Sequence, residues 1–245
     1  MRPPVYLVTN VRHFLGLASA RAIRKRVPEA TVVCHDRSFS DAAACAPFVD
    51  EGFEAMDGAV GGALGEAAVA RHGGVDYLVS NDVFPAARVV AGEARGEEGL
   101  RVREACDALC AAPFELAGAL AAGMRARRAG KMVFVTSAAP LRGLAHYAPY
   151  CAARGAANAM VRSLALELAP YDVTVNAVAP NFIATETYFP RALLDDPPTL
   201  AKIVSRVPLA RLGTADEGAA AVDYLLSPGA DFVTGTVLPV AGGWA

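Results

Sequence analysis

Short runs of aliphatic and β-branched residues recur along the chain at positions 5–8, 30–34, 77–80, 132–136, 173–178 and 233–240, and no charge interrupts any of them. Runs that are apolar at consecutive rather than alternate positions suit strands buried on both faces of a parallel sheet. Ala-rich, helix-compatible stretches separate them. The pattern therefore predicts an α/β fold, a doubly wound parallel sheet with helices on both faces. A first helix is expected over 18–26, a long one over 106–128 with Pro113 breaking its early part, and another from 147 or 150 to 169, stopped by Pro170. The stretch 182–198 contains Pro190, Pro197 and Pro198 and is expected to form an irregular loop with short helical pieces over the site. With 245 residues and no internal repeat, a single domain over 1–245 is expected.

Composition narrows the partners more than the fold. The chain is 54% hydrophobic, yet without a run of about twenty apolar residues no membrane span is expected. No charged leader with an apolar stretch precedes the first strand, so the expected compartment is the cytoplasm. A net charge of −2, from 23 basic and 25 acidic residues, makes no electrostatic case for nucleic acid or an anionic membrane. The basic clusters at 21–26 and 125–128 read as solvated helix faces. Five cysteines without CxxC spacing fit reduced thiols rather than disulfides or zinc, and the four histidines show no ligand spacing.

Candidate chemistry gathers at one end of the predicted sheet, because ligands of open parallel sheets bind beyond the carboxyl ends of the strands. The loops there carry Asn10 and Phe14, Asn81 and Asp82, Ser137, and Pro180 to Ile183. Tyr150 and Arg154 lie four apart on the helix after Ser137, so their side chains share a face. A guanidinium about 5 Å from a phenol favours the ionised phenol by roughly 3 kcal/mol at an effective dielectric of about 20, which would suit a base near neutral pH. The segment Thr9-Asn10-Val11-Arg12-His13-Phe14-Leu15-Gly16 follows a strand and opens a helix, the position of a dinucleotide phosphate loop, but only Gly16 remains of the glycines expected there. Side chains at Asn10 and Phe14 would block the approach of backbone to pyrophosphate. Asp36, placed where a ribose-binding carboxylate would sit, is accordingly read as structural.

On Ser137 with Tyr150 and on the ending Thr234-Gly235 through Gly242-Gly243, the chain resembles the short-chain dehydrogenase/reductase superfamily over nearly its whole length. Oxidoreductases of that superfamily carry Lys where Arg154 stands, and an Asn on the long helix before the Ser. Here no Lys lies between Lys131 and Lys202, and no Asn between Asn81 and Asn158. With Thr9-Asn10 and Phe14 in the loop, Ser80-Asn81-Asp82, Arg154, and Pro180-Asn181-Phe182, the chain is similar to halohydrin dehalogenases within the superfamily.

That resemblance implies conversion of vicinal haloalcohols to epoxides without nicotinamide or metal, and epoxide opening by azide, cyanide or nitrite in reverse. It implies Tyr150 as base, Ser137 bonded to the substrate oxygen and Arg154 assisting Tyr150. The nucleotide site would be replaced by a halide site. Phe14 with the turn Pro180, Asn181, Phe182 and Ile183 would supply its wall and donors, and Asn10, Tyr188 and Phe189 would contribute to the pocket. Asp82 is a candidate for orienting Arg154 or for proton exit. The implied partners are a small haloalcohol or epoxide, a halide or other small anion, and three further copies in a homotetramer. Loops 85–100 and 185–194 would set substrate preference. The alternative reading is an atypical NAD(P)-dependent short-chain oxidoreductase in which Arg154 replaces the Lys; a catalytically inactive binding protein is a third.

Overall fold

The computed structural model describes residues 2–93 and 96–245; the part of loop 85–100 at 94–95 lies outside the described residues. Its strands are β1 (Val5–Val8), β2 (Thr31–His35), β3 (Glu54–Met56), β4 (Tyr77–Ser80), β5 (Gly130–Val135), β6 (Val173–Pro180), β7 (Ile183–Ala184), β8 (Gly213–Thr214) and β9 (Val237–Val240). Its α-helices are α1 (Gly16–Arg26), α2 (Ala42–Asp50), α3 (Gly61–His72), α4 (Glu98–Cys106), α5 (Ala112–Arg127), α6 (Ala139–Arg142), α7 (Ala148–Leu168), α8 (Arg191–Leu194), α9 (Pro197–Val204) and α10 (Ala215–Leu226). Seven strands make one parallel sheet in the order β3-β2-β1-β4-β5-β6-β9, and β7 pairs with β8 apart from it. The order reverses between β1 and β4, which opens the cleft at their carboxyl ends.

Both faces of the sheet are covered, which explains the unalternating apolar runs. Val5 and Leu7 pack with Leu64 of α3, Leu120 of α5 and Val161 of α7. Tyr6 and Val8 turn to the other face, toward Ile23 of α1 and Val222 of α10. Edge strand β3 is short and buries only Met56, so its pattern carried too little signal to be expected.

Two expectations need correcting. The long helix starts at Glu98 rather than 106, and Pro113 does not break it: a π turn at Asp107–Ala111 precedes α5 and leaves the proline in that helix's first turn. The segment Glu98–Arg127 is also long and apolar enough, by length and composition alone, to cross a membrane, although it holds no run of about twenty unbroken apolar residues. In this fold α5 lays one face on α3 through Leu116 and Leu120. The last strand is shorter than expected, because Gly235 turns at φ +75° and Thr234 accepts the Val175 N–H at 3.0 Å through its hydroxyl.

Candidate active site

Helix α7 builds the reactive row. Its buried positions recur at three- and four-residue spacing, and Tyr150, Arg154 and Asn158 fall on that buried face at i, i+4 and i+8. Arg154 is 1% exposed and is the largest fully buried side chain among the described residues. Its Nε donates to the Tyr150 hydroxyl at 3.2 Å, Nη1 to the Val135 carbonyl at 3.0 Å, and Nη2 to the Asp82 carbonyl at 2.7 Å. Nη2 also faces the Tyr188 hydroxyl at 3.4 Å. Burial disfavours the Arg154 cation, but the Tyr150 and Tyr188 oxygens facing it more than offset that and raise its pKa above the ordinary guanidinium value. Burial, with the Tyr150 oxygen beside it, pushes the Tyr188 phenol up despite Arg154, so Tyr188 stays protonated.

Ser137 follows β5. Its carbonyl accepts from the Asn158 amide at 3.3 Å and its Oγ accepts the Ala139 N–H at 3.0 Å, which leaves the hydroxyl hydrogen available to a bound oxygen. Ser137 and Tyr150 line a cavity of about 540 Å³ together with Phe14, Asn181, Tyr188 and Phe189. Pro180, Phe182 and Ile183 line it too. Arg154 stands behind Tyr150 rather than in the wall. Asn10 and Asp82 are not in this wall; they line a neighbouring cavity of about 350 Å³ that also holds His13 and Asp36.

Asp82 meets Arg154 through its main-chain carbonyl, not its carboxylate. The carboxylate instead accepts from Ser80 Oγ at 2.5 Å and Asn10 Nδ2 at 3.5 Å. Burial is the chief cause that pushes its pKa up to about 6, against the Ser80 hydrogen bond and the Arg154 charge.

The loop after β1 is tied to itself and to the end of β2. Val11 N–H donates to the His35 carbonyl, Arg12 N–H to the Asp36 carboxylate, His13 N–H to the Asn10 carbonyl, and Gly16 N–H to the His13 carbonyl. Phe14 N–H donates to Thr187 Oγ1 at 3.0 Å. Asn81 laces this loop to β4, its amide donating to the Asn10 and His13 carbonyls at 3.1 and 2.9 Å. Asn10 and Phe14 both sit at φ +46°, the left-handed region that glycine favours. Gly16 cannot be anything else, since a Cβ there would lie 2.6 Å from the Val11 Cα. The N–H groups that would cradle a pyrophosphate are thus already engaged, and the Phe14 ring stands edge-on to Tyr188 with centroids 5.0 Å apart in the larger cavity. This residue set does not fit a dinucleotide. Asp36 is occupied by Ser38, whose N–H and hydroxyl donate to it at 3.0 and 2.7 Å.

The turn after β6 is similarly committed. Asn181 N–H donates to the Val240 carbonyl at 3.1 Å and Phe182 N–H to Asn181 Oδ1 at 2.9 Å, with Phe182 at φ +56°. With its main-chain N–H engaged, Asn181 has its amide Nδ2 left as the donor it can offer the cavity. Sequence reasoning missed the supporting partners Asn158, Thr187 and Trp244, the last packing edge-on against Phe182 at 5.7 Å. Asn158 could have been found as the third member of the Tyr150 and Arg154 row; Thr187 and Trp244 carry no local signal.

The profile of the family described as "Enoyl-(Acyl carrier protein) reductase" matches residues 13–245. The 3-oxoacyl-[acyl-carrier-protein] reductase FabG of Vibrio cholerae serotype O1 is 37% identical over 176 residues, which cover 70% of this chain and 67% of the reductase. Against other reductases of that name the match spans 52% of their length. Among solved structures, one described as "Dehalogenation enzyme" is 44% identical with a TM-score of 0.92, covering 100% of this chain and 99% of that one. A halohydrin dehalogenase, HheC, bound to ethyl (2S)-oxiran-2-ylacetate, is 33% identical with a TM-score of 0.90, covering 98% of this chain and 96% of that one.

Proposed function

We propose, from the premise that the chain belongs to the short-chain dehydrogenase/reductase superfamily, in the family described as enoyl-(acyl carrier protein) reductase, that it is a halohydrin dehalogenase: an enzyme closing vicinal haloalcohols to epoxides. The observation that carries this reading is the Phe14 ring, set edge-on to Tyr188 beside Ser137 and Tyr150, on a loop whose N–H groups are engaged within the protein.

In this reading Tyr150 takes the proton from the substrate hydroxyl while the Ser137 hydroxyl donates to the same oxygen. Arg154, facing the phenol oxygen, stabilises the negative charge on it before the proton arrives. The substrate oxygen then forms a bond to the adjacent carbon, the carbon–halogen bond breaks, and halide leaves with the electron pair. The products are epoxide, halide and a proton, and the reverse opens an epoxide with halide, azide, cyanide or nitrite. The Asn181 amide and the ring edges of Phe14, Phe182, Tyr188 and Phe189 would receive the anion; Pro180 and Ile183 complete that wall, and Asn10 acts from behind it through Asp82. No nicotinamide and no metal take part.

The similarity to acyl-carrier-protein reductases, together with the 350 Å³ cavity beside Asp36, favours a second reading as an atypical NAD(P)-dependent reductase. The deciding experiment is release of chloride and protons from 1,3-dichloro-2-propanol with no nucleotide added. The wild type should release both and Tyr150→Phe neither. Absence of release from a wild type that binds and oxidises NADPH would transfer the assignment to the reductase.

A further inference from the structure

The 540 Å³ cavity is larger than a three-carbon haloalcohol requires and falls in the range of about 300–1,000 Å³ typical of pockets for bigger ligands. Its wall is aromatic and aliphatic apart from a few hydroxyls, the Asn181 amide and one cation. Among the described residues lining it, Arg206 alone is charged, and none is acidic. The guanidinium has no ion-pair or hydrogen-bond partner among the described residues, whereas nearby Arg211 is held by Glu217 at 2.8 Å.

The backbone under Arg206 is fixed. Its N–H donates to the Ile203 carbonyl at 3.1 Å, in the turn that ends α9. The next residue, Val207, is 4% exposed and packs with Phe182 and Trp244. A long, exposed cation is thus presented from a rigid base to a cavity whose described lining residues carry no counter-charge. Such a charge remains partly screened by water, and among the described residues of this wall it is the one cation that an anion in the cavity could meet.

We propose that Arg206 makes this a site for haloalcohols and epoxides that carry a carboxylate beyond the reacting carbons. The carboxylate pairs with the guanidinium while the hydroxyl or epoxide oxygen meets Ser137 and Tyr150. The inference rests on the dehalogenase reading, adds no chemical step to it, and assigns Arg206 to specificity rather than catalysis. A cation here could also serve by drawing in inorganic anions, and the test separates the two roles.

Chloride release is measured with 4-chloro-3-hydroxybutanoate and with its methyl ester, for the wild type, Arg206→Gln and Arg206→Lys. Arg206→Gln should lower kcat/KM for the acid by about tenfold, mainly through KM, the size of one charge-assisted contact. The same variant should keep the ester within about twofold of wild type, and Arg206→Lys should recover most of the activity on the acid. An equal fall on acid and ester, as expected if Arg206 only supports the turn or attracts inorganic anions, overturns the proposal, as does no fall on the acid. Wild-type turnover of the ester without a charge effect would refute the role of Arg206 while leaving the dehalogenase reading standing. Should neither substrate turn over, that reading fails, and binding still decides Arg206: 3-hydroxybutanoate should quench the single tryptophan, Trp244, more tightly than its methyl ester does in wild type but not in Arg206→Gln. Equal binding in both proteins would overturn it.

Discussion

At Arg154 the guanidinium reaches Tyr150 with Nε while its two Nη groups hold carbonyls from β5 and from the loop after β4. A planar fork with five donors can meet three acceptors in fixed directions, and an ammonium on a flexible stem cannot hold the same set. The exchange of Lys for Arg was legible in the sequence, and so was its pairing with Tyr150 four residues away. That the carbonyl of Asp82 rather than its carboxylate would complete the set was not, because it depends on how the loop after β4 turns. The Asp82 carboxyl makes its own prediction. Its pKa stands at about 6 against an ordinary 3.8, chiefly through burial. A group whose folded pKa is raised lends the folded state its full share of stability below the unfolded pKa, and that share is lost as pH rises through the folded value. Between pH 3.8 and 6, stability of the wild type relative to Asp82→Asn should therefore fall by up to about 3 kcal/mol. Urea unfolding of both proteins across that range checks it; a difference that does not change with pH would show that Asp82 is not the buried acid.

Among the elements, the loop between β1 and α1 departs most from what its place in the fold would dictate. Phe14 occupies a left-handed conformation at φ +46°, costing about 1–2 kcal/mol relative to glycine. Its edge-on contact with Tyr188 returns roughly 0.5–1.5 kcal/mol, and burying part of the ring against the core adds about 1 kcal/mol more, so the ring outweighs the strain. Phe14→Gly should accordingly destabilise the fold by about 1–2 kcal/mol while removing most chloride release, since the cavity loses a wall. The same variant should still not bind NADPH, because the loop N–H groups remain engaged by Thr187, by His35 and Asp36, and by the loop itself. Thermal denaturation, chloride release and nucleotide titration test the three statements, and tight NADPH binding by Phe14→Gly would show that the ring alone kept the nucleotide out. The missing glycines were visible from residue types. The clasp by Thr187 was not, since it joins positions 173 apart through an irregular segment.

For the whole molecule, the sheet order brings the loops after β1, β4, β5 and β6 to one end, so residues scattered from Phe14 to Arg206 can share a cavity. Outside the cavity, α5 and α7 leave apolar groups uncovered: Phe114 is 54% and Leu166 81% exposed, beside exposed Ala152, Ala156 and Ala159 on α7. Small residues flanking large apolar ones let helices of two copies approach closely, and we propose that this face belongs to a homotetramer. Light scattering should give about four times the chain mass of 25.4 kDa, and a monomer at micromolar concentration would refute it. Local pattern was sufficient for the α/β class, most of the strands, and the pairing of Tyr150 with Arg154, because strand burial and the pitch of a helix impose short, regular spacings on the chain. Packing alone decided that Asn158 supports Ser137, that Asp82 and Asn10 face a second cavity, and that Arg206 reaches the first without a counter-charge. Those outcomes turn on contacts between segments far apart in sequence, whose geometry is set by the closing of the whole core and by no residue's immediate neighbours.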